Sequence, residues 1–211
     1  ALFSSEGNMV IAEGETSNHV DDYFDMELAF VNTSRDDSLE YTVFDAPLLN
    51  DGNSITYEDF GIQIDIISHM ENVRIESRIS PAEKIYKGFL KEFVLLPLRP
   101  EKEATQNRPG IIIKLSGLSS EKDGIYGIFL GQKTPDTFQI NGDLYFTEFR
   151  RKRTYLPFSI SLLDFEKIMH PGTNVAKSYS SEVNLIENSI PRRILIQMNE
   201  PLRHQNYTFY Q

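Results

Sequence analysis

Apolar and polar residues alternate along most of this 211-residue chain, and a period of two restricts the backbone to extended structure. Short alternating segments recur between turn-forming Asn, Asp, Gly, Ser and Pro residues. In one of them, the apolar residues that share a predicted face are Phe60, Ile62, Ile64 and Ile66. The pattern predicts a mainly β protein, an antiparallel β-sandwich or a partly open barrel with at most one or two short helices.

Two local signals predict where strands turn or bend. Asn141 and Gly142 separate two alternating segments and suit the positive φ angles of a type I′ turn, so residues 137–155 are expected to form a hairpin. In the segment PFSISLLDF the alternation breaks at Leu163. A break of this kind predicts a β-bulge, because one extra residue reverses the faces of those that follow.

One segment departs from the strand pattern. Apolar residues recur at helical spacing in PAEKIYKGFLKEFVLL, residues 81–96, and predict a short helix that begins at Pro81. The polar stretch LRPEKEATQNRP, residues 98–109, has the composition of an internal boundary. We therefore expect residues 1–211 to form one β domain, with two lobes that join near residues 98–109 as the alternative.

The formal net charge of −10 excludes nucleic acid as an expected partner, because the overall field repels phosphate backbones. One basic run consists of Arg150, Arg151, Lys152 and Arg153. Neighbouring side chains on a strand point to opposite faces, so the run is expected to be solvated strand residues rather than one patch. A specific anion site is the alternative.

No catalytic residue and no metal site is predicted. The chain has no cysteine, which excludes disulfides and thiol chemistry, and it lacks phosphate-binding glycine loops, nucleophile elbows and HExxH pairs. The adjacent carboxylates Asp21–Asp22 and Asp36–Asp37 are expected to be hydrated loop acids. A hydrolase with a carboxylate pair, or a β-sandwich module that binds carbohydrate or peptide, remains as an alternative.

The sequence contains no signal peptide and no apolar run long enough to cross a bilayer. The chain begins without Met and stops at TFYQ, within a predicted strand. We therefore expect that membrane anchors lie outside these residues.

The C-terminal third holds several short motifs in a characteristic order. These are a PFS strand with a following Phe, a Pro-Gly-Thr turn, a Tyr-x-Ser segment, an Asn-x-Pro-Leu motif and a closing Tyr-Thr-Phe-Tyr-Gln strand. The matching residues are Pro157, Phe158, Phe165, Pro171, Gly172, Thr173, Tyr179, Ser181, Asn199, Pro201, Leu202, Tyr207, Phe209, Tyr210 and Gln211. In this order they resemble the soluble domain of the ResB-like cytochrome c biogenesis proteins. A weaker similarity extends upstream to AEGET at residues 12–16.

The resemblance implies an extracytoplasmic (periplasmic) domain of an integral inner-membrane protein with several transmembrane segments. Such a protein works with a ResC- or CcsA-type membrane partner that handles haem. Together they deliver haem to apocytochrome c, and this domain would be a scaffold or chaperone rather than the catalyst. The motif residues would then either maintain the fold or form a surface for the partner or for haem.

Two histidines are candidate haem ligands, because one or two imidazoles suffice for axial ligation. They are His170 and His204. His170 stands where the family is expected to have an aromatic residue, which counts against a family ligand there. Asn206 replaces the family's frequent Gly before the closing strand and tolerates a left-handed turn. We expect no tightly bound cofactor in the isolated domain, with haem possible in the full assembly.

Overall fold

The computed structural model describes residues 1–33 and 41–211, and confirms a mainly β fold with antiparallel sheets. The strands are β1 Leu2–Phe3, β2 Asn8–Met9, β3 Thr16–Asn32, β4 Tyr41–Asp45, β5 Ser54–Tyr57, β6 Ile62–Met70, β7 Val73–Ser77, β8 Phe93–Pro97, β9 Gly110–Ser116, β10 Gly124–Phe129, β11 Thr137–Ile140, β12 Asp143–Met169, β13 Ala176–Glu187, β14 Ile190–Gln197, β15 Leu202–His204 and β16 Tyr207–Phe209. The helical turns, all 3₁₀, are Ala46–Leu48, Glu58–Phe60, Gly88–Lys91 and Ala104–Gln106. Within the described ranges, no helix is long and apolar enough to span a bilayer.

Contacts divide the chain into two compact units. Unit 1 comprises residues 1–23 and 153–211, and unit 2 comprises residues 24–152. The long strands β3 and β12 each contribute residues to both units. The polar stretch 98–109 connects β8 to β9 inside unit 2.

Unit 1 is built around one sheet with the strand order β1-β2-β3-β12-β13-β14. Its core contains Val20, Leu156, Phe158, Ile160, Val183, Leu185, Ile196 and Phe209. The predicted bulge is confirmed, because the β12–β13 register shifts between Leu162 and Asp164. The predicted left-handed conformation of Asn206 is also confirmed, with φ of 68° in the turn between β15 and β16.

Unit 2 contains the four-stranded sheet β10-β9-β6-β5 together with the pairs β3–β4 and β11–β12. Side chains from both sets of strands meet in one core, which is how a β-sandwich buries its inner faces. The predicted hairpin is confirmed: β11 pairs with β12, and Asn141 and Gly142 have φ of 51° and 91°. Phe60, expected on the β6 face, lies instead in a 3₁₀ turn just before the strand.

The helix predicted for residues 81–96 is wrong. Only Gly88–Lys91 forms a 3₁₀ turn, and β8 begins at Phe93. Gly88 has φ of 49°, a left-handed conformation that interrupts an α-helix, and a Cβ there would clash with the Asp136 side chain. Apolar residues of this segment instead pack into a small hydrophobic cluster. Beside it, the ring of Phe89 stacks on the ring of Phe93 with centroids 4.7 Å apart.

Candidate functional site

Part of the C-terminal motif set lies in the core of unit 1. Phe158, Leu202 and Phe209 are buried. The ring of Phe158 packs edge-on against His204 at 4.9 Å and Tyr207 at 5.8 Å between centroids. Edge-to-face packing of this kind stabilises a core beyond the area that it buries. The maintenance of the fold therefore accounts for these motif residues.

Three further motif residues share one face of the β12–β13 hairpin. Phe165 pairs with Ser181 and Lys167 pairs with Tyr179, and paired residues of antiparallel strands project to the same side. The rings of Phe165 and Tyr179 are nearly parallel, with centroids 6.2 Å apart. The Lys167 ammonium lies 5.7 Å from the centroid of the Tyr179 ring. We call Phe165, Lys167, Tyr179 and Ser181 the aromatic face.

Beyond the bulge, the β12 strand of the hairpin that carries the aromatic face is exposed on both sides, whereas most of β13 there is half-buried. Every residue of β12 from Leu163 to Met169 is exposed, whereas before the bulge apolar side chains are buried at every second position. We call residues 163–180 the arm. Its opposite face is acidic, because Asp164 pairs with Glu182 and Glu166 lies beside them. The arm thus presents two faces of different chemistry to solvent.

The AEGET segment anchors the base of the arm. The Gly14 amide donates to the Leu162 carbonyl (2.9 Å), and the Leu162 amide donates to the Glu15 carbonyl (3.1 Å). The Phe165 amide donates to Oε1 of Glu13 at 3.1 Å. The AEGET segment, which has only a weak similarity to the family, therefore contacts the PFS strand of the C-terminal motif set directly. The sequence did not predict this role of Glu13, although the similarity of AEGET to the family pointed to the segment that contains it.

A cavity of about 220 Å³ opens beside the aromatic face. It is lined by Ala1, Leu2, Met9, Ile11, Ala12, Glu13, Leu162, Phe165 and Ser181. The Ser181 hydroxyl donates to the side-chain oxygen of Gln211, so two motif residues are linked next to the cavity. Cavities that enclose a small ligand usually measure about 300–1,000 Å³. This cavity suits an inserted apolar side chain better than a macrocycle.

The two candidate haem ligands lie in different hairpins, and neither lines this cavity. His170 is exposed in the turn after β12, where its carbonyl accepts a hydrogen bond from Thr173 Oγ1 at 3.2 Å. The Nε2 atom of His204 lies 3.4 Å from Oε2 of Glu187, and its ring packs on Phe158. Among residues 1–33 and 41–211, no group of three His, Asp or Glu side chains could hold a metal ion.

The basic run is divided among separate partners, as its alternation predicts, but it is not the solvated run that was expected: Arg150 is buried, and the three basic residues after it are only partly exposed. Arg150 is buried, with Nε 2.7 Å from Glu27 Oε1 and Nη1 2.8 Å from Glu148 Oε2. The side chain of Lys152 lies 3.6 Å from Asp45, and that of Arg153 lies 3.6 Å from Asp21. The run therefore supplies structural ion pairs rather than one anion site. Asp21 and Asp22 were expected to be hydrated loop acids, but they lie in strand β3 and are only partly exposed; Asp36 and Asp37 lie outside the described residues.

A second cavity, of about 360 Å³, lies in unit 2 and is bordered by His69, Met26, Glu71 and Arg151. Burial lowers the pKa of His69 below its ordinary value of 6.5, although Asp51 and Glu71 oppose this shift. The ring of His69 packs edge-on against Phe149 at 5.6 Å. His69 is thus a half-buried imidazole whose burial favours the neutral form.

Residues 127–211 match the model of the ResB-like family. The matched region contains every C-terminal motif residue, so the resemblance found in the sequence is confirmed for this part of the chain. No curated protein matches the chain. The ResB-like similarity supports a role in cytochrome c biogenesis.

Proposed function

We propose that this chain is the extracytoplasmic domain of an integral inner-membrane protein that supports cytochrome c maturation. In this role it is a non-catalytic scaffold or chaperone for haem delivery to apocytochrome c. Its main partner is a ResC- or CcsA-type membrane protein that handles haem. The domain holds no haem tightly by itself.

One observation carries this proposal: three motif residues outside the core cluster of unit 1 meet on the aromatic face. Phe165, Tyr179 and Ser181 come from two strands, and Phe165 is 39% exposed beside the cavity. An exposed aromatic ring next to an apolar cavity is the usual form of an anchor at a protein interface. The aromatic face is therefore the proposed docking surface for the membrane partner.

The arrangement also favours docking over catalysis. The aromatic face has a lysine, two aromatic rings and a serine whose hydroxyl is already hydrogen-bonded to Gln211. General acid–base work needs a positioned group of suitable pKa, and covalent catalysis needs a nucleophile with an adjacent base. Glu13, the carboxylate that lines the cavity in the described part of the chain, accepts a hydrogen bond from the Phe165 amide.

Copurification tests this proposal. The natural gene with Phe165→Ser is expressed together with its ResC- or CcsA-type partner, and the partner retained on the purified protein is measured. The loss of one aromatic anchor should weaken the complex by about tenfold or more. Leu195→Ser is the matched control, because Leu195 is 53% exposed on the same sheet but pairs with Glu182 on the acidic face. Equal recovery for Phe165→Ser and Leu195→Ser would contradict the proposal.

A further inference from the structure

The far end of the arm has an unusual charge for this chain. We call residues 167–177, with the sequence KIMHPGTNVAK, the tip. It begins and ends with lysine and contains no Asp or Glu, whereas the whole chain has a formal net charge of −10. The tip is therefore a locally basic segment on an acidic protein.

Aliphatic side chains lie exposed between the two lysines. Ile168 is 45% exposed, Met169 is 36% exposed and Val175 is 63% exposed. They flank the turn that joins β12 to β13, and the end of β12 that leads into this turn is exposed on both faces. Water contact with these three side chains is unfavourable, and within the described residues none of the three belongs to the core cluster of unit 1.

The backbone of the turn is hydrogen-bonded within itself. The His170 amide donates to the Val175 carbonyl at 2.9 Å, and the Thr173 amide donates to the His170 carbonyl at 3.1 Å. The Val175 amide donates to Thr173 Oγ1 at 3.2 Å. Backbone groups that enter an apolar phase need such internal partners, because no water is available there. Three amides of the turn already have such partners.

We propose that the tip inserts its aliphatic side chains into the interfacial region of an anionic lipid bilayer. Lys167 and Lys177 can extend their amines to the headgroup phosphates while their methylene stems stay with the apolar residues. The charge of the tip is complementary to such a surface, although the charge of the whole chain is not. This contact uses the turn end of the arm, whereas the aromatic ring Phe165 and the cavity carry the proposed protein docking; Lys167 belongs to both regions.

A lipid surface fits the tip better than a protein partner does. A stable protein interface buries about 1,200–2,000 Å² in total, with an aromatic or Arg-rich centre. The tip offers three apolar side chains and no Phe, Tyr, Trp or Arg. A small apolar end with flanking lysines is instead typical of segments that bind reversibly at a membrane interface.

Vesicle sedimentation tests the inference with the whole 211-residue chain. The probes are vesicles of phosphatidylglycerol with phosphatidylethanolamine, and vesicles of phosphatidylcholine alone. The parent chain should sediment with the anionic vesicles and should be released by high salt. Ile168→Ser with Val175→Ser should lower the partition coefficient by about tenfold, and Lys177→Gln by about fivefold on anionic vesicles alone.

Two variants of the second hairpin of the same sheet are the controls. Ile190→Ser removes an aliphatic side chain that is 70% exposed, and Arg192→Gln removes an exposed cation on β14. Both should bind vesicles like the parent. The inference is overturned if the parent chain does not bind anionic vesicles, or if the tip variants bind as well as the controls do. No protein partner is present in this assay, so its failure leaves the docking proposal standing.

Discussion

The carboxylate of Glu13 accepts a 3.1 Å hydrogen bond from the backbone amide of Phe165, although 152 residues separate the two along the chain. The bond lies just beyond the bulge at Leu163, where the arm begins. It joins the AEGET segment to the strand that carries the aromatic face. Glu13 therefore positions the base of the arm and borders the cavity at the same time.

Removal of the Glu13 carboxylate should loosen this junction. Glu13→Ala leaves the Phe165 amide without its protein acceptor, and the expected loss in the free energy of unfolding is about 1 kcal/mol. Urea unfolding followed by circular dichroism measures it. Glu166→Ala is the control, because it removes a carboxylate from the acidic face of the same arm. The role given to Glu13 is wrong if the two variants unfold at the same urea concentration.

The buried ion pair of unit 2 should contribute far more to stability than an exposed one. Glu27→Ala removes one carboxylate from the buried Arg150 guanidinium, which should cost about 3 kcal/mol. Glu182→Ala breaks the exposed contact with Arg193 and should barely change the unfolding midpoint. Thermal unfolding of both variants at one pH checks the contrast. A similar small shift for both would show that Arg150 finds other stabilisation.

His69 should make the protein less stable in mild acid. Because burial lowers its pKa in the folded state, unfolding takes up a proton once the pH falls below the unfolded value of 6.5. Its contribution to stability is present above pH 6.5 and is lost as the pH falls through the folded pKa. His69→Gln should reduce the difference in stability between about pH 7.5 and about pH 5. Denaturant unfolding at both pH values measures this, with His170→Gln as the exposed control; an unchanged difference would contradict it.

Haemin should bind the isolated chain weakly or not at all. The ring of His204 is packed on Phe158, and the cavity beside the aromatic face has only about 220 Å³. Tight binding needs both an apolar slot and a positioned axial ligand. Titration followed at the Soret band measures it for the parent chain, His170→Ala and His204→Ala. Stoichiometric binding at submicromolar haemin that either variant abolishes would make this chain a direct haem carrier.

The sequence predicts those parts of the fold that depend on neighbouring residues. The turn at Asn141–Gly142, the bulge at Leu163 and the left-handed Asn206 each follow from backbone preferences within a few positions. The helix expected at residues 81–96 fails because its apolar residues pack against β7 and β10, and no local pattern contains that information. Tertiary packing outweighs helical spacing there.

The candidate site was only partly predictable for the same reason. Phe165, Tyr179 and Ser181 were found as motif residues, but their common face depends on the β12–β13 register. Glu13 and Lys167 were not predicted, since their contacts are visible only after the strands have paired. The motif set also combines residues of two kinds, because Phe158 and Phe209 serve the core.

The yield of mature cytochrome c in cells tests the central claim most directly. The natural gene with Phe165→Ser and Tyr179→Ser replaces the parent gene, and covalently bound haem in cytochrome c is measured by its peroxidase activity after denaturing electrophoresis. The account predicts a yield lower by about fivefold or more, with normal amounts of the variant protein and normal yield for Leu195→Ser. A normal yield from the double variant at normal protein level would contradict the account.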